Sequence, residues 1–401
     1  MTGDQGPVTA ALREVLERAD EVDHGELAEH IPELTEADPA HLGIALVSAQ
    51  GRCYEAGDSD QQFTVQSIAK AFVYAAALSE HGLEEVHRHV GYEPSGDSFD
   101  AISLAEDGRP ANPMINAGAI VTTGLVGEGS VDERFGRIRD RLSQFAGRPL
   151  ELDEEVLASE RRTGHRNRAL AHLVKAADLL AGEVDDVVEV YFRQGCLRVT
   201  ARDLAVMGAT LANGGTNPVT GEAVVSAECA RHTLALMTTC GMYDHSGEWA
   251  LRVGMPAKSG VGGGIVAVKP GQFGVGVYSP PLDEAGNSTR GVAALQVLAD
   301  DYGLHLLRHP VEPVDPVAGT REDDGDLVLE LRGEIDFVAA EQVVHALEEH
   351  LADENGGAVT IDLGAATEVS HVARRLLERA AERASGAGRS FTTHDPSELL
   401  E

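Results

Sequence analysis

The sequence predicts an α+β protein of two domains, the first an antiparallel sheet with a helical subdomain and the second a small α/β domain. Two strand-like hairpins, over 42–55 and 264–278, predict the sheet. The long segment between them carries apolar residues mostly at helical spacing. Strand and helix then alternate near the C-terminus, which is typical of a small α/β unit. With 401 residues the chain is long enough for two hydrophobic cores.

In the first domain, strands are predicted to precede the helix that begins near Ser67. An amphipathic helix opens the chain, and the helix at Ser67 runs through good helix formers to Gly82. The predicted elements are a helix at 7–20, a hairpin at 42–55, a helix at 67–82, a polar loop at 159–167, a helix at 169–180, a helix from Thr200 to 213–215, a hairpin at 264–278 and a closing helix at 289–302.

Three segments are predicted along the whole chain: residues 1–308 form the first domain, 309–325 a linker and 326–401 the second domain. Repeated prolines and an acidic run mark the linker. The second domain alternates strands at 327–332 and 358–363 with helices at 338–351 and 372–384.

The pair Ser67 and Lys70 carries the strongest chemical signal. Three residues apart at a helix start, the hydroxyl and the amine lie on one face and can meet. A desolvated lysine can take the serine proton, and free N–H groups at the helix start favour a developing oxyanion. Ser-x-x-Lys acyl enzymes also carry a Lys-Ser/Thr-Gly triplet on a later strand, which Lys258-Ser259-Gly260 matches. One such motif arises by chance roughly one time in five, and both on the order of one time in a hundred.

Several polar residues have two interpretations from their spacing alone. Asn112 and Asn116 lie in apolar surroundings before a predicted helix, where each could cap the helix or contact a substrate. Glu160 and Asn167 fall in the polar stretch 159–167, which indicates a solvated loop.

The composition is strongly acidic. A formal net charge of −34 argues against nucleic acid or an anionic membrane as a partner. Only four of the 32 basic residues are lysine, and the 66 acidic residues make the surface similar to that of salt-adapted proteins. A GC-rich genome would explain the few lysines but not the acidity.

The cysteines and histidines predict neither a disulfide framework nor a metal site. The four cysteines form no Cys-x-x-Cys pair, and the 16 histidines show no ligand spacing. The first residues contain no basic segment followed by an apolar one, and no apolar run approaches the length of a membrane span. We therefore expect a cytoplasmic location.

Seven motifs of the first 305 residues or so together resemble the serine-dependent glutaminase family, which has a β-lactamase/DD-peptidase-like fold. They are the segments 66–70, 90–96, 112–118, 159–160 with 166–167, 211–215, 240–243 and 256–261. The resemblance implies hydrolysis of L-glutamine to L-glutamate and ammonia through a γ-glutamyl ester on Ser67, without a cofactor. One departure is His30, which replaces a tyrosine that usually lines the family's substrate pocket.

The resemblance also implies a role for each site residue. Lys70 would be the base for Ser67, Tyr243 would transfer protons, the N–H groups of Ser67 and Val261 would form the oxyanion hole, and Lys258 would support them. Five residues would hold the α-amino and α-carboxylate groups of the substrate: Asn116, Glu160, Asn167, Tyr191 and Tyr243. A carboxylate suits the ammonium, and neutral donors suit the carboxylate.

The C-terminal segment resembles a STAS domain, the module of anti-sigma-factor antagonists, through residues 331–336 and 359–363. Those regulators carry a phosphorylatable serine in an Asp-Ser-Ser-Gly sequence, where this chain has Ser370 and His371. The resemblance thus implies that the phosphoacceptor is absent. We expect a docking or oligomerising role, with a homo-oligomer or another protein as partner.

Two alternative functions fit some of the same residues. One is another Ser-x-x-Lys amidase or acylase, such as a penicillin-recognising enzyme, which would need an exported chain. The other is a glutamine-binding regulatory protein without catalysis, against which the intact Ser67, Lys70, Tyr243 and Lys258 argue. Release of ammonia from glutamine separates these alternatives.

Overall fold

The computed structural model describes residues 6–29, 31–95, 104–105, 107–308, 316–323, 326–352 and 357–400. The chain divides into two compact units, 1–308 and 309–401. His30, the departure noted above, lies outside the described residues.

The first unit contains eight strands and thirteen α-helices among its described residues. The strands are β1 (Gly43–Ser48), β2 (Cys53–Gly57), β3 (Phe63–Thr64), β4 (Glu151–Leu152), β5 (Leu197–Val199), β6 (Ala257–Gly260), β7 (Gly264–Lys269) and β8 (Phe273–Tyr278). The helices are α1 (Pro7–Ala19), α2 (Pro32–Thr35), α3 (Ala69–His81), α4 (Leu83–His89), α5 (Asn116–Leu125), α6 (Val131–Ala146), α7 (Glu154–Thr163), α8 (His165–Ala176), α9 (Val184–Gly195), α10 (Ala201–Ala212), α11 (Ala227–Cys240), α12 (Ser246–Arg252) and α13 (Thr289–Asp300).

A five-stranded antiparallel sheet, in the order β2-β1-β8-β7-β6, forms the centre of this unit. Helices α1 and α13 cover one face, where Val15 and Leu295 pack with Ile44 in one apolar core. Helix α10 covers the other face and lies directly on β8, because a Cβ atom at Gly274 or Gly276 would collide with its backbone. The predicted antiparallel sheet and both hairpins are confirmed.

The prediction for residues 159–167 was wrong, because this polar stretch is helical rather than a loop. Asp153 caps α7 by accepting hydrogen bonds from the N–H groups of Glu155 and Val156, and one face of the helix buries Val156 and Leu157. Most of the other side chains on α7 are charged, which hid this apolar face in the sequence pattern. The helix predicted at 169–180 in fact spans His165–Ala176.

The second unit is a four-stranded sheet with two described helices. Its strands, in the order β12-β11-β10-β9, are β9 (Val317–Asp323), β10 (Asp326–Ile335), β11 (Val359–Val369) and β12 (Phe391–His394). Strands β10, β11 and β12 run parallel, and β9 pairs antiparallel with β10. Helices α14 (Phe337–Ala352) and α15 (His371–Gly386) bury their apolar residues against this sheet.

Residues 317–323, predicted as part of the linker, instead form the edge strand β9. An edge strand can carry polar and charged side chains, so its sequence shows no apolar alternation. Among the described residues of the whole chain, no helix is long and apolar enough to cross a membrane.

Candidate active site

Ser67 lies in a tight turn that joins β3 to α3. Residues 66–68 form one turn of 3₁₀-helix, and Gln66 adopts a left-handed backbone with φ of +47°. A non-glycine residue in that region carries strain, which is often found at functional sites. Gln66, Ile68 and Lys70 are buried, whereas Ser67 is only half-buried and borders a cavity. The turn thus presents the serine hydroxyl to the cavity.

Lys70 follows one turn later and is 2% exposed. Its Nζ donates a hydrogen bond to Asn116 Oδ1 at 2.5 Å, and Asn116 Nδ2 donates to Asn167 Oδ1 at 2.9 Å. The side chain of Asn116 therefore bonds at both ends, and it does not cap α5, whose N-cap is Ile115. Asn167 accepts through its oxygen, so its amide nitrogen can donate to a ligand.

Tyr243 also contacts the serine. Its hydroxyl is hydrogen-bonded to Ser67 and donates to the Ser259 carbonyl at 3.1 Å. Tyr243 also has a left-handed backbone, with φ of +54°. Burial raises the pKa of Tyr243, so the side chain is a neutral phenol that can donate or relay a proton.

Lys258 lies on β6 behind this tyrosine. Its Nζ is 4.1 Å from the centroid of the Tyr243 ring and donates to the Ser259 carbonyl at 2.7 Å. Burial, together with the charge of Lys70, lowers the pKa of Lys258 well below its usual value. The buried amine of Lys258 supports the ring of Tyr243, and burial favours the uncharged form of this amine.

Glu160 lies near the C-terminal end of α7 and faces the same cavity. Burial raises its pKa to about 7, and the nearby Glu33 contributes in the same direction. A hydrogen bond from Gln66 and the charge of Lys70 oppose the increase. Tyr191 lies close to Glu160, and burial raises the tyrosine's pKa. Among the described residues no cation bonds directly to this half-buried carboxyl, which is therefore suited to an incoming cation.

The corner between α7 and α8 depends on Gly164. A Cβ atom at this position would collide with the ring of Phe192 on α9. The glycine lets α9 pack closely against the corner, which brings Asn167 at the start of α8 near Glu160 at the end of α7.

These side chains surround one cavity of about 360 Å³. Seven of the predicted site residues line it: Ser67, Lys70, Asn116, Glu160, Asn167, Tyr191 and Val261. Tyr243 is joined to it through its contact with Ser67, and Lys258 lies behind Tyr243. The size suits a small ligand that is largely enclosed.

Seven further residues, none of which had a role predicted from the sequence, line the cavity. They are Gln66, Thr163, Gly164, Arg166, Phe192, Gln194 and Gly195. A signal existed for Gln194, which is 1% exposed on the otherwise apolar face of α9, where its Oε1 meets the Thr123 hydroxyl at 3.1 Å. In the part of the chain that the structure describes, no group of three or more His, Cys, Asp or Glu side chains is placed to hold a metal ion.

Comparison with known proteins gives the family. A family model described as Glutaminase matches residues 25–307. The chain belongs to the glutaminase family. A second model, described as Mlab, STAS domain, matches residues 318–401 of this glutaminase, which confirms the STAS-like domain.

Some similar proteins match nearly all of this chain, and others match only part of it. A protein named Glutaminase from Corynebacterium glutamicum is 41% identical over 396 residues, covering 98% of this chain and 95% of that protein. Glutaminase 2 from Bradyrhizobium diazoefficiens is 54% identical over 283 residues, covering 71% of this chain and only 45% of that relative. A crystal structure of Mglu has a TM-score of 0.88 at 39% identity, covering 99% of this chain and 100% of that one.

Proposed function

We propose that this glutaminase hydrolyses L-glutamine to L-glutamate and ammonia through a γ-glutamyl ester on Ser67. The observation that carries the proposal is the shared cavity, in which Ser67 and Lys70 lie with Glu160. A crystal structure of Mglu, 37% identical to this chain, is described as its L-glutamate binding form, which supports glutamate as the product.

In the first half of the proposed reaction, Lys70 takes the proton of Ser67, and the serine oxygen attacks the side-chain amide carbon of glutamine. The N–H groups of Ser67 and Val261 stabilise the oxyanion. The amide C–N bond then breaks, and ammonia leaves with the proton that Lys70 took up, relayed through the neutral phenol of Tyr243, so that Lys70 is again free to act as a base. In the second half, water loses a proton to the same base and attacks the ester, which releases glutamate and restores the Ser67 hydroxyl.

The α-amino and α-carboxylate groups of the substrate are proposed to contact polar side chains that complement their charges. Glu160 is proposed to pair with the α-ammonium, and the neutral donors Asn167 and Tyr191 with the α-carboxylate. Asn116 bonds both Lys70 and Asn167. We infer that it couples the base to the carboxylate site as well as touching the substrate.

An ammonia-release assay on glutamine, asparagine and a chromogenic β-lactam tests the reaction. We expect ammonia from glutamine, much less from asparagine, and no β-lactam hydrolysis. Cleavage of the β-lactam instead would favour another Ser-x-x-Lys acylase, and tight glutamine binding without ammonia would favour a regulatory protein.

We also propose a cytoplasmic location, on the basis of the thiols. All four cysteines are free, including the exposed Cys53. Unpaired thiols are typical of a reducing compartment.

The STAS-like domain is proposed to supply contacts, either between copies of the chain or with another protein. Ser370 is the N-cap of α15, and its Oγ accepts a hydrogen bond from the N–H of Ala373 at 3.2 Å. The next residue is His371, which cannot form a phosphate ester. The missing hydroxyl at position 371 supports a domain that is not switched by serine phosphorylation.

Removing residues 309–401 is expected to change oligomeric state or solubility while leaving turnover nearly unchanged. The reason is that every site residue belongs to the first unit, which has its own cores. Light scattering and a glutamine assay on the truncated chain measure the two effects. Loss of turnover in a truncated protein that is still folded would show instead that the domains are coupled.

The acidic surface is expected to make thermal stability depend on salt. Repulsion among acidic residues acts over about 10 Å at 0.1 M ionic strength and about 3 Å at 1 M, so Tm should rise with KCl well beyond physiological salt. Crystals of the similar Mglu were studied in the presence of 4.3 M NaCl. A Tm that stays constant from low to molar salt would leave codon usage as the explanation for the scarce lysines.

A further inference from the structure

A hydrogen-bond bridge ties the short helix α2 to α7. The Oγ of Ser159, which is 1% exposed, donates to Glu33 Oε1 at 2.6 Å across 126 residues of sequence. The same oxygen accepts a hydrogen bond from Arg162 Nη2 at 2.9 Å. The hydroxyl thus uses its one donor, and the bridge runs from the Arg162 guanidinium through Ser159 to the Glu33 carboxylate.

This bridge adjoins the substrate-binding carboxylate. Ser159 is the residue immediately before Glu160, and its carbonyl accepts a bond from the hydroxyl of Thr163, which lines the cavity. Because α7 is a rigid helix, fixing Ser159 against α2 fixes the rotation of α7 about its axis. The direction of the Glu160 side chain is fixed with it.

Glu33 is held at an energetic disadvantage. Its Oε2 is buried and has no hydrogen-bond partner among the described residues. A buried, unsatisfied carboxylate oxygen destabilises the folded chain, so its presence calls for an explanation. Glu33 also raises the pKa of Glu160.

We propose that Glu33 is a positioning residue of the glutaminase reaction, which acts through Ser159 to aim the Glu160 carboxylate at the substrate ammonium. This inference rests on the proposed role of Glu160. Through its charge, Glu33 also influences the pH range in which Glu160 is ionised. The groups around Glu160 are Gln66, Lys70, Tyr191 and Cys196. Beside Glu33, Arg162 bonds the shared Ser159 hydroxyl. Glu33 also lines a second cavity, together with the ionisable residues Glu36, Asp38, His41, Asp153 and Glu155.

Two substitutions break the bridge, and one preserves its hydrogen bond. Glu33→Ala and Ser159→Ala should each raise KM for glutamine about 10-fold, with kcat within about 2-fold of wild type. The double variant should be no worse than either, because both changes remove one interaction. Glu33→Gln keeps an acceptor for Ser159 and should shift the acidic limb of kcat/KM to lower pH.

Two comparisons separate positioning from general destabilisation. Glu36→Gln, at the end of the same helix and lining the same second cavity, has no hydrogen bond to α7 in the described structure and should behave as wild type. The inhibition constant of L-glutamate should rise about 10-fold in Glu33→Ala, whereas that of glutarate, which lacks the ammonium, should not change.

A wild-type KM in Glu33→Ala, or equal losses for glutamate and glutarate, would overturn the inference. If the alanine variants do not fold, a KM raised about 10-fold at pH 8 in Glu33→Gln, which keeps the acceptor for Ser159, overturns it. Failure of wild-type protein to release ammonia from glutamine would instead reject the proposed function.

Discussion

Ser67→Ala is expected to lower kcat for glutamine by at least about 10⁴-fold, and Lys70→Ala by about 10²- to 10⁴-fold. Without the hydroxyl no ester can form, and without the amine the serine is a weak nucleophile. The two residues act as a unit, so the double variant should be no slower than Ser67→Ala alone. Initial rates of ammonia release measure all three variants.

Circular dichroism and Tm establish that the variants are folded. Lys70→Met approximates the volume of the buried lysine and separates loss of the base from loss of packing. Lys175→Ala is a matched control, since Lys175 lies at the end of α8 and, among the described residues, bonds the Gly182 carbonyl alone. If Lys70→Ala kept a tenth of the wild-type rate, the assignment of Lys70 as base would be wrong.

The placement of Ser67, the proposed nucleophile, near Lys70 could be predicted from sequence because its geometry is local. Ser67 and Lys70 are three residues apart on adjoining helical turns, and helical periodicity alone places them on one face. Lys258 could be predicted because it begins a second short motif, Lys258-Ser259-Gly260. Such a motif is recognised from its own residues, however far it lies from Ser67 in the chain.

That Glu160 and Asn167 share a cavity with Ser67 was predictable only through the family resemblance. Spacing alone placed Glu160 and Asn167 in a solvated loop, whereas they lie on two helices that meet at Gly164. What brings them into the cavity is the packing of Phe192 against that glycine, a contact between distant segments. The bridge from Glu33 to Ser159 spans 126 residues and has no local signature at all.

Glu160→Gln is expected to raise KM for glutamine by about 30-fold or more with a smaller change in kcat. Removing one member of a charge pair in a desolvated site costs about 2–5 kcal/mol of binding. As with Glu33, comparing inhibition by L-glutamate and by glutarate shows whether the loss concerns the ammonium. An unchanged KM would show that Glu160 does not pair with the substrate ammonium.

The same carboxyl should set the acidic limit of the reaction. Its pKa of about 7 in the free enzyme means that the group is protonated, and cannot pair with the ammonium, at lower pH. The ratio kcat/KM reports groups of the free enzyme, so it should fall as pH drops below about 7. At saturating glutamine the bound ammonium stabilises the carboxylate, and kcat should fall only at lower pH. In Glu160→Gln this contribution to the acidic limb should disappear.

Ionisation of Glu160 should affect folding stability in the opposite sense to glutamine binding: it favours binding but destabilises the folded protein. A carboxyl whose pKa is raised on folding binds its proton more tightly in the folded state, so its contribution to stability declines as pH rises from about 4.5 to about 7. Above pH 7 the buried charge is a full penalty, which Glu160→Gln removes. Without substrate, the variant should be more stable than wild type by on the order of 1–2 kcal/mol at pH 8, and no more stable at pH 4. Denaturant unfolding at the two pH values measures this difference. Equal stability of wild type and Glu160→Gln at pH 8 would mean that solvent reaches the Glu160 carboxylate freely. A higher KM in the variant would then need an explanation other than a preformed, desolvated site for the ammonium.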